Sequence, residues 1–308
     1  LSVGGGLALL WLGAEALVRG AAALAVRFGL SPLLVGLTVV AFGTSAPELV
    51  VTAQAALDGA GGIAVGNVLG SNICNVALIL GLSALVRPLR VEAQLLRLDI
   101  PLAIAVSVLV TVLLLDQEVS RVEGGGLVAG VLVYVVYSVW QGRRKRGAVP
   151  EALLEGLPRP KGMLLRDVLL VGMGLGLLAV GARALTSGAV GIAEVMGVPE
   201  AVIGLTIVAL GTSMPELATS TVAAVRGAGD LAIGNVIGSN LFNLLGILGT
   251  AALIEPLWAP GIGGVDLFVM TATAALMLPL ARTGHELSRG EGALLLLSYV
   301  SYLVYLVV

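Results

Sequence analysis

The sequence predicts an all-α integral membrane protein of about ten transmembrane helices, arranged as two inverted-topology five-helix repeats. Three observations carry that expectation. The chain is too apolar for water: of its 308 residues 58% are hydrophobic and 12% charged, with a mean hydropathy of +1.05, against roughly 45–50% apolar and 25% charged in soluble domains. One thirteen-residue stretch is written twice, GLTVVAFGTSAPE at 36–48 and GLTIVALGTSMPE at 204–216, with ten positions identical. Charges at equivalent positions of the two halves change sign, as they must if the halves face opposite ways.

Apolar segments fall at 1–26, 32–57, 63–86, 95–115, 122–141, 163–190, 200–225, 231–254, 262–281 and 291–308. Each is close to the roughly 20 residues needed to cross a hydrocarbon core. The first reads as a span and not as a cleavable leader, because it lacks a charged lead-in and a small-residue cleavage site. Glu15 and Arg19, four apart within it, read as a local ion pair or a snorkelling side chain and not as transport residues. In the second, Pro47 lacks an N–H and Gly43 relaxes the backbone, so the helix is expected to unwind and free carbonyls beside Glu48. The third opens on GNVLGSNICN, whose glycines permit close helix approach. The longest polar stretch contains Arg143, Arg144, Lys145 and Arg146, then Pro150, Pro158 and Pro160. It divides the chain into a first repeat at 1–141, a linker at 142–162 and a second repeat at 163–308.

The repeat keeps one offset, 168 residues, without a gap. GNVLGSNICN at 66–75 returns as GNVIGSNLFN at 234–243, and Leu85 and Pro88 return as Leu253 and Pro256. Placing the Arg143 cluster in the cytoplasm puts the N-terminus outside and fourteen of the seventeen Lys and Arg on the inner side, a strong positive-inside bias. Only Arg121 then falls outside, while Arg19 and Arg183 sit within spans. Five spans per half is an odd number, so equivalent positions lie on opposite faces of the bilayer. Accordingly inner Arg87 becomes outer Glu255, and outer Asp58 becomes inner Arg226.

Inverted repeats place binding sites at the midplane between the halves. There the pseudo-two-fold axis brings Glu48 and Glu216 together, a costly concentration of charge in a low-dielectric setting unless cations neutralise it. Thr44, Ser45, Thr212 and Ser213 add hydroxyls, and Ser71, Asn75, Ser239 and Asn243 project from the neighbouring helices. Every candidate ligand is oxygen, which favours Ca²⁺, Na⁺ or Mg²⁺ over Zn²⁺ or Cu²⁺. Mg²⁺ fits less well because it usually retains several waters. Cys74 and His285 stand alone and point to no transition-metal site. No cofactor, nucleic acid or catalytic role is expected. An intramembrane hydrolase would need an activated water or nucleophile, and the Thr, Ser and Asn surround supplies no general acid. A passive channel would conduct without a counter-ion.

GTSAPE with GSNICN, and GTSMPE with GSNLFN, resemble the two alpha-repeats of the sodium/calcium exchangers, within the cation/calcium exchanger superfamily, over nearly the whole chain. The resemblance implies antiport of Na⁺ against Ca²⁺ at one site set, exposed alternately to each side. By motif match Thr44, Glu48, Thr212 and Glu216 would hold Ca²⁺, with Ala41, Ser45, Ser71, Ala209, Ser213 and Ser239 completing flanking Na⁺ positions. Segments one and six would be the long gating helices. One departure stands out: many members carry aspartate where this chain has Asn243. If that aspartate is normally protonated, Asn is a neutral stand-in; if it ionises, stoichiometry or ion choice differs. The GNxxE pattern of the proton-coupled branch is missing, which lowers the Ca²⁺/H⁺ reading, while the potassium-dependent branch stays open. The short linker implies a prokaryotic protein of the inner membrane, and a monomer is expected because one chain holds both half-sites.

Overall fold

The computed structural model describes residues 2–28, 31–144, 164–195 and 209–307. The linker from 145 and residues 200–208 of the seventh expected span, with the start of the second motif copy, lie outside the described residues. The regular structure is overwhelmingly helical, because at bilayer depth each segment must satisfy its own backbone groups. α1 (Ser2–Phe28) is followed by α2 (Pro32–Val35), α3 (Ala41–Thr44) and α4 (Ala46–Leu57). Then come α5 (Gly61–Ile73), α6 (Gly81–Val86), α7 (Ile100–Leu113) and α8 (Arg121–Arg144). The second half holds α9 (Leu164–Val195), α10 (Ala209–Thr212), α11 (Met214–Val225) and α12 (Gly229–Leu241). It ends with α13 (Leu248–Ile254), α14 (Gly264–Arg282) and α15 (Arg289–Val307).

Among the described residues six continuous helical stretches are long and apolar enough to cross a bilayer, and the stretch 33–57 makes a further, bent one. Exposed Val108, Leu109, Val112, Leu297, Val300 and Val304 form the outward faces that lipid would cover. Between the α-helical pieces lie wider π-helical turns at Gly36–Val40, Cys74–Leu80, Leu95–Asp99 and Phe242–Ile247. Hydrophobic periodicity does not distinguish these turns from α-helix. Cys74 and Phe242, where two of them begin, are equivalent at the repeat offset, and π turns concentrate at functional positions.

Two short ribbons show the inversion directly. β1 (Leu89–Arg90) pairs antiparallel with β4 (Glu286–Leu287), and β2 (Glu118–Val119) pairs antiparallel with β3 (Leu257–Trp258). At the repeat offset β1 is equivalent to β3 and β2 to β4. The helical stretch Leu95–Asp116 separates β1 from β2, so the ribbons cap opposite ends of the bundle. Each strand at one end therefore has its equivalent at the other. Asn72 and Asn240, also equivalent, touch each other: Asn240 Nδ2 donates to the Asn72 carbonyl at 3.4 Å. A residue that meets its own equivalent lies at the two-fold axis.

α1 and α9 cross at glycines. A Cβ on Gly174 would lie 2.8 Å from the Gly13 carbonyl oxygen, and one on Gly181 would lie 3.0 Å from that of Gly6. These contacts exchange under the repeat offset, so the two long helices pack on each other symmetrically through bare backbone.

Acids are also buried away from the candidate ligands, Asp99 and Asp167 among them. Asp99 is fully buried, accepting from Tyr134 Oη at 3.2 Å and Gln94 Nε2 at 3.3 Å. It ties the start of the fourth span to α8. Tyr134→Phe is expected to lower stability by about 1–3 kcal/mol, the cost of removing a partner from a buried polar group. A lowered thermal midpoint in detergent would be the readout.

Candidate cation site

The first half builds the site from a bent helix, and among the described residues the second half repeats its one non-helical residue. α3 ends at Thr44, Ser45 leaves helical geometry (φ −82°, ψ 7°), and α4 resumes at Ala46, the axis turning by 45°. Ser213, between α10 and α11, has φ −84° and ψ 5°. The expected unwinding is thus confined to a single residue. Helix re-forms at once because proline is tolerated in a first turn, where its missing N–H breaks no bond of the new helix. Nor is a run of carbonyls freed: Ser45 O accepts from Leu49 N at 3.1 Å, and Ala41 O from Ser45 N at 3.0 Å. Glu48 and Glu216 sit in the first turns of α4 and α11, where the helix dipole favours a carboxylate.

The two carboxylates are fully buried, and each is held from the other half. Ser213 Oγ donates to Glu48 Oε1 at 3.1 Å, and Ser45 Oγ donates to Glu216 Oε1 at 2.7 Å. Ser239 Oγ, from α12, also reaches Glu216 Oε1, at 3.3 Å. The crossing of these bonds brings one acid from each half to a single site.

Two equivalent triads brace the helix breaks at Ser45 and Ser213. Thr44 Oγ1 lies 3.2 Å from Asn235 Oδ1, whose Nδ2 donates to Ser220 Oγ at 3.0 Å. Thr212 Oγ1 lies 3.3 Å from Asn67 Oδ1, whose Nδ2 donates to Thr52 Oγ1 at 3.0 Å. Asn67 and Asn235 were not singled out from sequence. Their signal is present in the sequence, since each is the second residue of a repeated Gly-Asn pair beside the recognised GSN motif.

Several buried polar atoms have no partner in the protein: Glu48 Oε2, Glu216 Oε2, Ser71 Oγ, Asn75 Oδ1, and both amide atoms of Asn243. Asn75 Nδ2 donates to Asn240 Oδ1 at 3.0 Å. Unsatisfied buried groups cost about 1–3 kcal/mol each, so the oxygens of this cluster fit atoms reserved for a ligand, while Asn243 Nδ2 is a donor and cannot hold a cation. Among the described residues no group of three or more His, Cys, Asp and Glu is placed to hold a metal ion. The donor set is two carboxylates among hydroxyls and amides, hard oxygen chemistry. Of the other residues expected here, Ala41 is buried with its carbonyl partly used, and Ala209 opens α10. Beside Thr44 and Thr212 a cavity of about 1020 Å³ lies between α4, α8 and α9.

The family model described as sodium/calcium exchanger protein matches residues 1–141 and 167–308, both halves of the chain. The chain belongs to the sodium/calcium exchanger family. Among its relatives, the putative antiporter CaxA of Alkalimonas amylolytica is 41% identical over 305 residues, 96% of this chain and 95% of that protein. The sodium/calcium exchanger MaX1 of Methanosarcina acetivorans is 34% identical over 98% of this chain and 96% of its own. Among solved structures, the sodium-calcium exchanger NCX_Mj soaked with Na⁺ and Ca²⁺ is similar with a TM-score of 0.85 at 32% identity, over 98% of this chain and 96% of that one. The resemblance read from GTSAPE and GSNICN is borne out, and so is the multi-pass helical membrane fold expected of this family member.

Proposed function

We propose that this exchanger-family protein is a secondary active antiporter, carrying Na⁺ one way and Ca²⁺ the other by alternating access at a midplane site between Glu48 and Glu216. One observation carries the reading: each carboxylate is gripped by a serine of the opposite half while its second oxygen has no partner. Thr44, Glu48, Thr212 and Glu216 would hold Ca²⁺. Ser45, Ser71, Ser213, Ser239 and the Ala41 and Ala209 carbonyls would complete Na⁺ positions, with Asn75 and Asn243 at the centre. With both acids ionised and no cation, the site holds two buried charges, which are prohibitive at low dielectric. One Ca²⁺, or more than one Na⁺, removes that penalty. The site therefore changes face only when loaded, and exchange rather than leak follows.

The charge distribution supports an N-terminus outside, a cytoplasmic linker at 142–162 between repeats at 1–141 and 163–308, and the inner membrane as location. Both half-sites in one chain support a transporting monomer. Vesicles containing the protein and loaded with Na⁺ are expected to accumulate ⁴⁵Ca²⁺ when external Na⁺ is low, and to stop when the Na⁺ gradient is collapsed. Uptake that follows a pH gradient would show proton coupling, and a requirement for K⁺ would place the protein with potassium-dependent exchangers. Ion current without counter-transport would mean a channel.

A further inference from the structure

The second pair of charges that changes sign between the halves has a consequence for how the two faces open. Glu15 of α1 is bonded to Arg226, beyond the end of α11, through both guanidinium Nε at 3.1 Å and Nη2. Arg19 also bridges to Glu15, so the pairing foreseen as local extends across helices. At the repeat offset the equivalent of Glu15 is Arg183, and that of Arg226 is Asp58. Both ends of the pair reverse sign together, which preserves attraction, whereas a change at one end alone would have destroyed it. Among the described residues the equivalent pair is not made: Asp58 accepts only from Gln54 Nε2, at 2.9 Å, and Arg183 forms no salt bridge.

The packing differs in the same sense. α1 is buried against α11, with Leu10, Ala14 and Leu17 in one apolar cluster with Met214 and Ala223. The equivalent surfaces, α9 and α4, are held apart by the cavity, whose walls include Val50 and Val51 on one side and Leu175, Ala179 and Arg183 on the other. The two pairs belong to opposite ends of the bundle. A Cβ on Gly227, next to Arg226, would lie 2.8 Å from Arg87 of the β1 end, and Gly61, three residues past Asp58, abuts the backbone of Trp258 in β3.

We propose that these residues are two alternating latches, a reading that rests on the antiport mechanism and deepens it. Glu15 with Arg226 closes the β1/β4 end in this structure; Arg183 with Asp58 closes the β2/β3 end when α9 moves onto α4 and the cavity collapses. Only one latch is made at a time. Arg19 keeps Glu15 neutralised after Arg226 leaves. Both pairs are partly exposed, so each biases the equilibrium between faces by only about fivefold and does not drive it.

Cysteine pairs in a Cys74→Ala background test this. Glu15→Cys with Arg226→Cys, and Asp58→Cys with Arg183→Cys, are each expected to cross-link, the two responding oppositely to Na⁺, Ca²⁺ or ion-free buffer. A Val50→Cys label site in the cavity should be open to maleimide in the first locked protein and protected in the second. Failure of the 58/183 pair to cross-link in every ion condition, while 15/226 cross-links, would overturn the proposal; so would equal response of the two pairs. As a second measure, Asp58→Arg and Arg183→Asp alone should each slow exchange up to about fivefold, and the double swap should recover it. A double variant no faster than the slower single one counts against the latch. Cross-linking is read on the protein itself, so it answers separately from a flux assay that denied Na⁺ coupling.

Discussion

Glu48→Gln and Glu216→Gln, made singly, are each expected to abolish Na⁺-dependent Ca²⁺ uptake. Removing one partner of a buried charge interaction costs about 3–5 kcal/mol, which is roughly two to four orders of magnitude in affinity. Because Ser213 holds Glu48 and Ser45 holds Glu216, the two acids act as one unit, and either loss should be nearly as severe as both. Stability should move the other way. Without cations, each variant relieves the repulsion between two buried carboxylates, so its ion-free midpoint should equal or exceed that of the parent. The gain in midpoint on adding Ca²⁺ should disappear. Thermal unfolding in detergent with and without Ca²⁺, beside vesicle flux, checks both halves of the expectation.

The second large effect is expected at Gly238. Its missing side chain lets α12 lie directly on the turn that carries Thr44: a Cβ there would stand 2.6 Å from the Leu37 carbonyl oxygen and 2.8 Å from Ala41 Cβ. Backbone cannot yield as a flexible side chain can. Gly238→Ala is therefore expected to cost about 1–3 kcal/mol and to pull Asn235 away from Thr44, reducing transport in whatever protein remains folded. Gly62→Ala, in a helix with nothing within 4 Å of the added methyl, is the control. It should be neutral or up to about 1 kcal/mol stabilising.

Much of this is legible in the sequence alone, and for a physical reason. Membrane burial leaves few polar residues, so each Gly, Pro, Ser, Asn and Glu that recurs at the offset marks a place where chemistry or close packing is needed. Glu48 and Glu216 could be paired from the repeat alone, and the sign reversals at Arg87/Glu255 and Asp58/Arg226 disclosed the inversion that the ribbons display. The extent of the helix break was not legible. Proline and glycine signal a fault, but whether one residue or a whole turn departs from helix depends on which neighbouring groups take the loose carbonyls, and here Leu49 and Ser45 donate. The π turns were hidden as well, because one extra residue per turn shifts an apolar stripe too little to show in a uniformly apolar sequence. Asn67 and Asn235 were visible as letters only. Their bracing role appears once Thr44 and Thr212 are seen facing them across the axis.

The central claim is that two acids from inverted halves share one cation. Calorimetric titration of Ca²⁺ into the purified protein, Glu48→Gln and Glu216→Gln tests it most directly. The account predicts saturable binding to the parent that is lost in both single variants. Two independent sites, with each variant keeping half the parent's stoichiometry at unchanged affinity, would contradict it.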